Sequence, residues 1–279
     1  MTLSCRVSPF LLPNKSSIQQ SVLRRSVTPF QNVFYTQKVN DLKALIIAAG
    51  FGNRLWSRTQ KIPKTLLPFG SGTILSTIMD HLEQAGIDEF VLVVGYNADH
   101  ILRYLEDNGR PRKKITIVQN NEWERGNGLS VLIAEKALGG APFILSMSDH
   151  IVPVSALKRI IVSDKQTNLL LVDKRPDQIF DIDDATKVWL EEDTIVHIGK
   201  EIEPYNAIDC GIFRLDDAFF ASMRRRLEAG QESISAAVQG LIADNNMKAV
   251  FLNGGERWID IDTPEAYRHA LENQSSFAV

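Results

Sequence analysis

The sequence predicts an α/β fold of three layers, Rossmann-like, in which a mostly parallel central sheet carries helices on both faces. Two observations predict it. From Leu42 onward, short apolar runs of strand length alternate with segments whose apolar residues recur at helical spacing, as a parallel sheet with crossover helices requires. Those runs are also apolar at nearly every position, the pattern of strands buried on both faces.

The strands are read at residues 44–48, 90–95, 115–119, 143–148 and 168–173. Between them Ile74, Leu75, Ile78, Leu82 and Ala85 fall on one helical face, and Leu129, Leu132, Ile133 and Ala137 repeat the pattern. After residue 175 the character changes, and 185–191, 195–200 and 207–215 read as strands joined by turns. No Pro/Gly/Ser-rich linker separates this part, so a single domain is expected over 42–273, with 274–279 as a tail.

Composition bounds the function. The chain has 279 residues, 44% of them hydrophobic, which is ample for a core. No apolar run reaches the roughly 18–20 residues of a membrane span. Cys5 and Cys210 are too few for a disulfide framework, and a reducing cytoplasm is the expected location. The net charge of −3 hides an asymmetry: residues 1–40 hold Arg6, Lys15, Arg24, Arg25 and Lys38 and no acid, which leaves 26 basic against 34 acidic groups, or −8, in the remainder. Such a body is not a nucleic-acid binder. Residues 1–41, serine-rich and without periodicity, are expected to be a disordered leader, with an organelle-targeting segment as the alternative.

The chemistry is concentrated in Ala44-Leu-Ile-Ile-Ala48-Ala49-Gly50-Phe-Gly52-Asn-Arg54 and in Ile62-Pro63-Lys64-Thr-Leu-Leu-Pro68. An apolar strand runs into a glycine-bearing turn that ends in a cation, and a second cation follows behind a proline. Gly50 and Gly52 let backbone N–H groups approach an anion without side-chain obstruction; Arg54 and Lys64 supply fixed positive charge, a combination suited to a nucleoside triphosphate. A Gly-x-Gly turn alone is a weak signal. Position 55 is Leu, so the third glycine of a dinucleotide fingerprint is missing, and no P-loop Gly-Lys-Ser/Thr is present. Two acids sit where strands end: Asp149 in Leu145-Ser-Met-Ser-Asp149-His150, and Asp260 in Trp258-Ile-Asp260-Ile-Asp262-Thr263-Pro264-Glu265. Asp262 and Thr263 read as the cap region of a helix that begins at Pro264, which leaves Asp260 unassigned.

The pattern Ala-Ala-Gly-x-Gly-x-Arg followed by Pro-Lys-x-Leu resembles the signature of nucleotidyltransferases that activate sugar and polyol phosphates. Further on, Glu124-Arg-Gly126-Asn127-Gly128-Leu-Ser130, Asp181-Ile-Asp183-Asp184-Ala-Thr186-Lys187, Ile198-Gly-Lys200 and Tyr205-Asn-Ala-Ile-Asp209-Cys-Gly211 resemble the branch that couples CTP to inositol 1-phosphate. The resemblance spans about residues 42–270 and implies a nucleotidyltransferase fold, with a nucleotide-binding half near 42–150 and an acceptor-binding subregion near 175–263. It implies Arg54 and Lys64 as catalytic cations, and Ala48, Ala49, Gly50, Gly52, Asn127 and Gly128 as nucleotide-binding residues. It further implies Asp149 and Asp260 as ligands of Mg²⁺, Lys187 and Lys200 on the acceptor phosphate, and Asp183, Asp184 and Asp209 on polyol hydroxyls.

The implied reaction converts CTP and inositol 1-phosphate to CDP-inositol and pyrophosphate. Phosphocholine or a sugar 1-phosphate are the alternative acceptors, and a non-catalytic nucleotide-sensing relative is the alternative of another class. In relatives such an enzyme is often fused to a membrane synthase that consumes its product; the chain stops at Val279 without one, so a separate synthase is an expected partner. Trp123 is expected to pack rather than to stack on a base, His150 to make a local hydrogen bond, and the basic runs 110–114 and 224–226 to be solvated.

Overall fold

The computed structural model describes residues 42–52, 55, 62–108 and 114–277. Expectations for the leader 1–41 and for Arg54 lie outside these residues. In chain order the described elements begin with β1 (Lys43–Ala48), β2 (Pro68–Phe69), β3 (Gly72–Thr73), α1 (Ile74–Gln84), β4 (Glu89–Val94), α2 (Ala98–Asp107) and β5 (Ile115–Gln119). Next come α3 (Asn127–Leu132), α4 (Glu135–Leu138), β6 (Phe143–Met147), β7 (His150–Ile151), α5 (Val154–Ile161), β8 (Asn168–Asp173), β9 (Lys187–Glu191) and β10 (Thr194–Gly199). The last are β11 (Ala207–Leu215), α6 (Asp217–Glu228), α7 (Ile234–Ala243), β12 (Met247–Phe251), β13 (Ile259–Asp260), α8 (Pro264–Glu272) and α9 (Gln274–Phe277).

Nine strands form one sheet in the order β5-β4-β1-β6-β11-β8-β12-β10-β9. Pairings are parallel across β5, β4, β1 and β6 and between β8 and β12; β11 runs against β6 and β8, and β10 against β12 and β9. The sheet is therefore all-parallel in its first half and interrupted by two reversed strands in its second. Successive residues of β1 divide between two cores: Ala44, Ile46 and Ala48 face one, while Leu45 and Ile47 face the other, as the period-2 alternation of a strand dictates. The first core is closed by Ile78 and Leu82 of α1, Ile101 of α2 and Leu157 of α5, the second by Val131 of α3, Phe219 of α6 and Val238 of α7. That is the expected three-layer α/β/α arrangement.

Helix starts follow local chemistry. Thr73 and Ser76 form a reciprocal capping box at α1, in which the Thr73 hydroxyl accepts from the Ser76 N–H and the Ser76 hydroxyl from the Thr73 N–H. Asp216, Ser233 and Thr263 cap α6, α7 and α8.

Several expectations need correction. The 129–137 segment is two short helices, α3 and α4, and its most buried residues are Val131, Ala134 and Leu138; of the expected face Leu129 is buried, while Leu132, Ile133 and Ala137 are only partly so. The proposed tail is helical over Gln274–Phe277, and Phe277 is buried in the first core. Strand β12 has no counterpart in the sequence reading, because five residues with a lysine among them carry little signal.

Three pairings place the functional residues. Ile47 lies beside Met147 in the parallel β1–β6 pair, so the chain leaves both strands at the same edge of the sheet. Reversed β11 enters near that edge, with Ile212 opposite Ser146. Finally β7 and β13 form a two-residue antiparallel ladder that sets Asp260 opposite His150.

Candidate active site

At the carboxyl end of β1 and β6, where ligands sit in open α/β sheets, one lysine meets a cluster of aspartates. The Lys64 ammonium donates to Oδ2 of Asp149 at 2.5 Å and to Oδ1 of Asp262. Its backbone belongs to a single 3₁₀ turn behind Pro63, and the neighbouring Thr65 hydroxyl donates to the Ser148 carbonyl at 3.2 Å, fastening the turn to the end of β6. Burial alone would lower the ammonium's pKa, but Asp149, Asp262 and Asp260 outweigh it and hold the group above the usual lysine range. Burial likewise acts to raise the Asp149 carboxyl; Lys64 and His150 override it and hold Asp149 well below the usual carboxylate range.

The other oxygen of Asp149 pairs with Nδ1 of His150 at 2.7 Å. His150 rests on two supports. Its ring stacks on Trp258 with centroids 5.6 Å apart and planes 16° from parallel, and Gly211 also lies against it. Gly211 has φ +72°, and a Cβ there would stand 2.4 Å from the imidazole Cδ2, so both the backbone conformation and the ring require glycine. Trp258 in turn donates its indole N–H to Asp173 at 3.2 Å, and buried Asp173 is clamped by Arg175 at 2.8 and 2.9 Å. Burial opposes charge on His150, yet Asp260 and Asp149 prevail and push its pKa up to about 9.

Asp260 is different. Its Oδ1 is buried with no hydrogen-bond partner among the described residues, and His150 Nδ1 stands 3.7 Å away. Burial, reinforced by Asp149 and Asp262 and offset by His150 and Lys64, pushes its pKa up to about 7. Ligand atoms of Asp149, His150 and Asp260 lie within 4.8 Å of one another. An unpartnered carboxylate oxygen beside a second carboxylate is a donor set that fits a hard divalent cation, so these residues can hold a metal. Metal binding must then displace the Asp260 proton. Below about pH 7, nucleotide-free Mn²⁺ affinity should fall roughly tenfold per pH unit. A Mn²⁺ titration that gives one affinity on both sides of that pH would remove Asp260 from the ligand set.

Two adjoining cavities flank the cluster and share Asn127, Met147, Asp149 and Asp262. The larger, about 360 Å³, is lined by Ala48, Ala49, Gly50, Gly52, Lys64 and Trp123 among others. A Cβ at Gly50 would meet no atom within 4 Å, so the space beside that backbone is open, while Gly52 has φ +65° and packs over the Lys64 side chain. The smaller, about 230 Å³, is lined by Asp184, Lys200, Asp209, Asp260 and Trp258 among others. Lys200 there pairs with Asp184 at 2.7 Å. Burial, partly offset by the Gly211 N–H and by His150, pushes Asp209 up to about 6.

Not every expected residue reaches these cavities. Gly128 instead faces Met223 and the Glu232 carbonyl, where a Cβ would come within 2.8 Å of both. Asp183 is exposed and, like Lys187, is not part of the cavity wall. The Lys187 ammonium donates to the Lys200 carbonyl at 2.8 Å and lies 5.6 Å over the Tyr205 ring. Trp123 packs on Tyr96 at 5.2 Å while also lining the larger cavity. Sequence reasoning assigned Asp262 to capping, but Thr263 alone caps α8. The spacing held a signal: residues two apart on extended chain share a face, so Asp260 and Asp262 belong together.

Comparison with known proteins agrees with this geometry. Residues 43–178 match the family described as Nucleotidyl transferase. A protein of Archaeoglobus fulgidus named Bifunctional IPC transferase and DIPP synthase is 30% identical over an alignment of 285 residues, covering 99% of this chain and 54% of that one. A protein of the same name from Rubrobacter xylanophilus is 32% identical over 240 residues, 82% of this chain and 51% of the other. The chain thus spans about half the length of these curated relatives. Among solved structures, the inositol-1-phosphate CTP transferase from T. maritima matches with a TM-score of 0.74 at 28% identity, covering 85% of this chain and 97% of that one. With the glycine turn, the lysine behind proline and the strand-end aspartates arranged around one cleft, and with these matches, the chain belongs to the nucleotidyl transferase family.

Proposed function

We propose that the protein is a cytidylyltransferase that converts CTP and inositol 1-phosphate to CDP-inositol and pyrophosphate. The observation that carries this reading is the meeting of two cavities at Asp149: one opens on Gly50 and Gly52, and the other is lined by the carboxylates of Asp184 and Asp209 and, among the described residues, by one lysine, Lys200. The names of the relatives and of the T. maritima structure support the choice of substrates.

The charges set the mechanism. A phosphate monoester has its second ionisation near pH ~6, so the acceptor is largely a dianion at neutral pH and needs no general base. Its oxygen attacks the α-phosphorus of CTP in line; a P–O bond forms, the α–β bridging bond breaks, and its electron pair leaves with pyrophosphate. Positioning and charge neutralisation are what the residues contribute. Backbone at Gly50 and Gly52 receives the triphosphate, with Lys64 and Arg54 balancing its charge, and Lys200 holds the acceptor phosphate against repulsion from CTP. Mg²⁺, held by Asp149 and Asp260, would supply further neutralisation on the triphosphate. Asp184 and Asp209 accept from ring hydroxyls.

The same carboxylates, together with Trp258 and the half-exposed Phe180 that also lines the smaller cavity, would receive a quaternary ammonium. Phosphocholine is therefore the second reading. Pyrophosphate release with CTP should proceed with a higher kcat/KM for inositol 1-phosphate than for phosphocholine or glucose 1-phosphate; a clear advantage for either of those would end the inositol assignment. Lys200→Met should raise KM for the acceptor by roughly tenfold and leave KM for CTP nearly unchanged. Lys187→Met, outside the cavity wall, should alter neither by more than about twofold. Among the described residues no helix is long and apolar enough to cross a membrane. A synthase that uses CDP-inositol is a proposed partner, since the relatives' names pair two activities, and the cysteine content suits a reducing cytoplasm.

A further inference from the structure

We propose that Lys64 is the resident counter-cation of the aspartate cluster in the free protein, and that Asp262 is the positioning residue that parks it there until a divalent cation and a nucleotide arrive. Both oxygens of Asp149 are engaged, Oδ1 by His150 and Oδ2 by Lys64. Each oxygen keeps a second lone pair, but a dication arriving at Asp149 stands beside the positively charged donors already on it and repels them. His150 is held by Trp258 and Gly211, whereas Lys64 has a four-carbon stem of rotatable bonds. The lysine is the partner that yields.

Its geometry suits the exchange. The backbone of Lys64 is pinned by the turn behind Pro63, where the Leu66 N–H donates to the Pro63 carbonyl at 2.8 Å. Its Cβ lies 3.1 Å from where a Gly52 Cβ would be, so the stem starts beside the glycine turn and ends among the carboxylates. From a fixed origin the ammonium can pivot between the two. Asp262 stands outside the Asp149, His150 and Asp260 set that can hold a metal, yet it contacts the Lys64 ammonium directly. Among the described residues Lys64 and a charged His150 face the three carboxylates of Asp149, Asp260 and Asp262, so with all three ionised the cluster still attracts a dication. Once the dication is bound, repulsion from it and attraction to the incoming triphosphate act on Lys64 in the same direction. The cluster is thus kept compact without metal, and the lysine is released where it is next needed.

This rests on the metal-dependent reading above only in taking Asp149 and Asp260 as the metal's ligands; the acceptor plays no part. The test uses the full chain and Mn²⁺ alone, with free Mn²⁺ followed by its paramagnetic signal and no nucleotide present. Lys64→Met should bind Mn²⁺ at least about tenfold more tightly than the wild type, because a competitor for Asp149 is gone. Equal or weaker binding overturns the proposal. Since Lys64→Met bares buried carboxylates and can lose stability, melting temperature is read as well. Mn²⁺ should raise it more in Lys64→Met than in the wild type, and an equal or smaller rise again overturns the proposal.

The role of Asp262 is tested with CTP in the absence of metal. Asp262→Asn should tighten CTP binding several-fold by freeing Lys64, and the same change made in Lys64→Met should have no such effect. Equal gains in both backgrounds would reduce Asp262 to a nearby negative charge and overturn the parking role. Pyrophosphate release by the wild type with inositol 1-phosphate reports on the acceptor separately, so the two readings fail independently.

Discussion

Asp149→Asn and Asp260→Asn should lower turnover to a similar extent, about 10²–10³, while shifting stability in opposite directions. Asp149 accepts from Lys64 through one oxygen and from His150 through the other. An amide can accept at only one of those positions and turns its NH₂ toward a donor at the other. Because these side chains are 12–15% exposed, the loss should be about 2–4 kcal/mol, somewhat below that of a fully buried broken pair.

Asp260 has no such partners to lose: its Oδ1 is buried and unsatisfied among the described residues. Its pKa, pushed up to about 7, means the folded state holds a proton that the unfolded chain has already released. The stability from this group is therefore present at low pH and is lost as pH rises toward about 7. Without metal, Asp260→Asn should melt higher than the wild type above that pH, with the difference shrinking on acidification. Thermal melts in a chelator across the pH range, beside pyrophosphate release in excess Mg²⁺, measure both halves. Parallel stability changes in the two variants would contradict the geometry described for Asp260.

Gly211→Ala should be the most damaging small substitution in the site. It forces a Cβ to 2.4 Å from the His150 ring at φ +72°. The left-handed backbone and the overpacking together should destabilise by about 2–4 kcal/mol. The ring is also held by its stacking on Trp258 and its bond to Asp149. The two contributions separate in a cycle: adding His150→Ala should restore the steric part and leave the backbone part. Additive losses in the double variant would show that the ring is not what Gly211 accommodates.

How much of this is visible in the sequence depends on where the causes lie. Strands such as Lys43–Ala48 and Asn168–Asp173 declare themselves because both faces are buried and nearly every residue is apolar. The glycine turn and Lys64 are legible because their residue types stand at the fixed spacing of the family's signature. Strand β12, Met247–Phe251, is not, since it is short, carries a lysine and owes its place beside β8 to tertiary pairing. Asp149 and Asp260 are separately visible at strand ends, but their meeting depends on the two-residue β7–β13 ladder, too short to announce itself. Lys64 was read as a cation for triphosphate alone; that it rests on Asp149 and Asp262 follows from folding that no local pattern encodes. Gly128 and Lys187 mark the reverse case, where local pattern suggests ligand contact and packing or a neighbouring carbonyl claims the residue.

The β7–β13 ladder also orders events during synthesis. Asp149 leaves the ribosome 111 residues before the Asp260 it is set beside, and β13 reaches its partner only after β12 has emerged. A nascent chain halted before residue 259 carries the glycine turn, Lys64 and Asp149 but neither of the other acids. It has the lining of the larger cavity without the acids that complete the cluster. On the reading proposed above, turnover requires β13 to have joined β7, so the onset of activity would report when this late pairing forms.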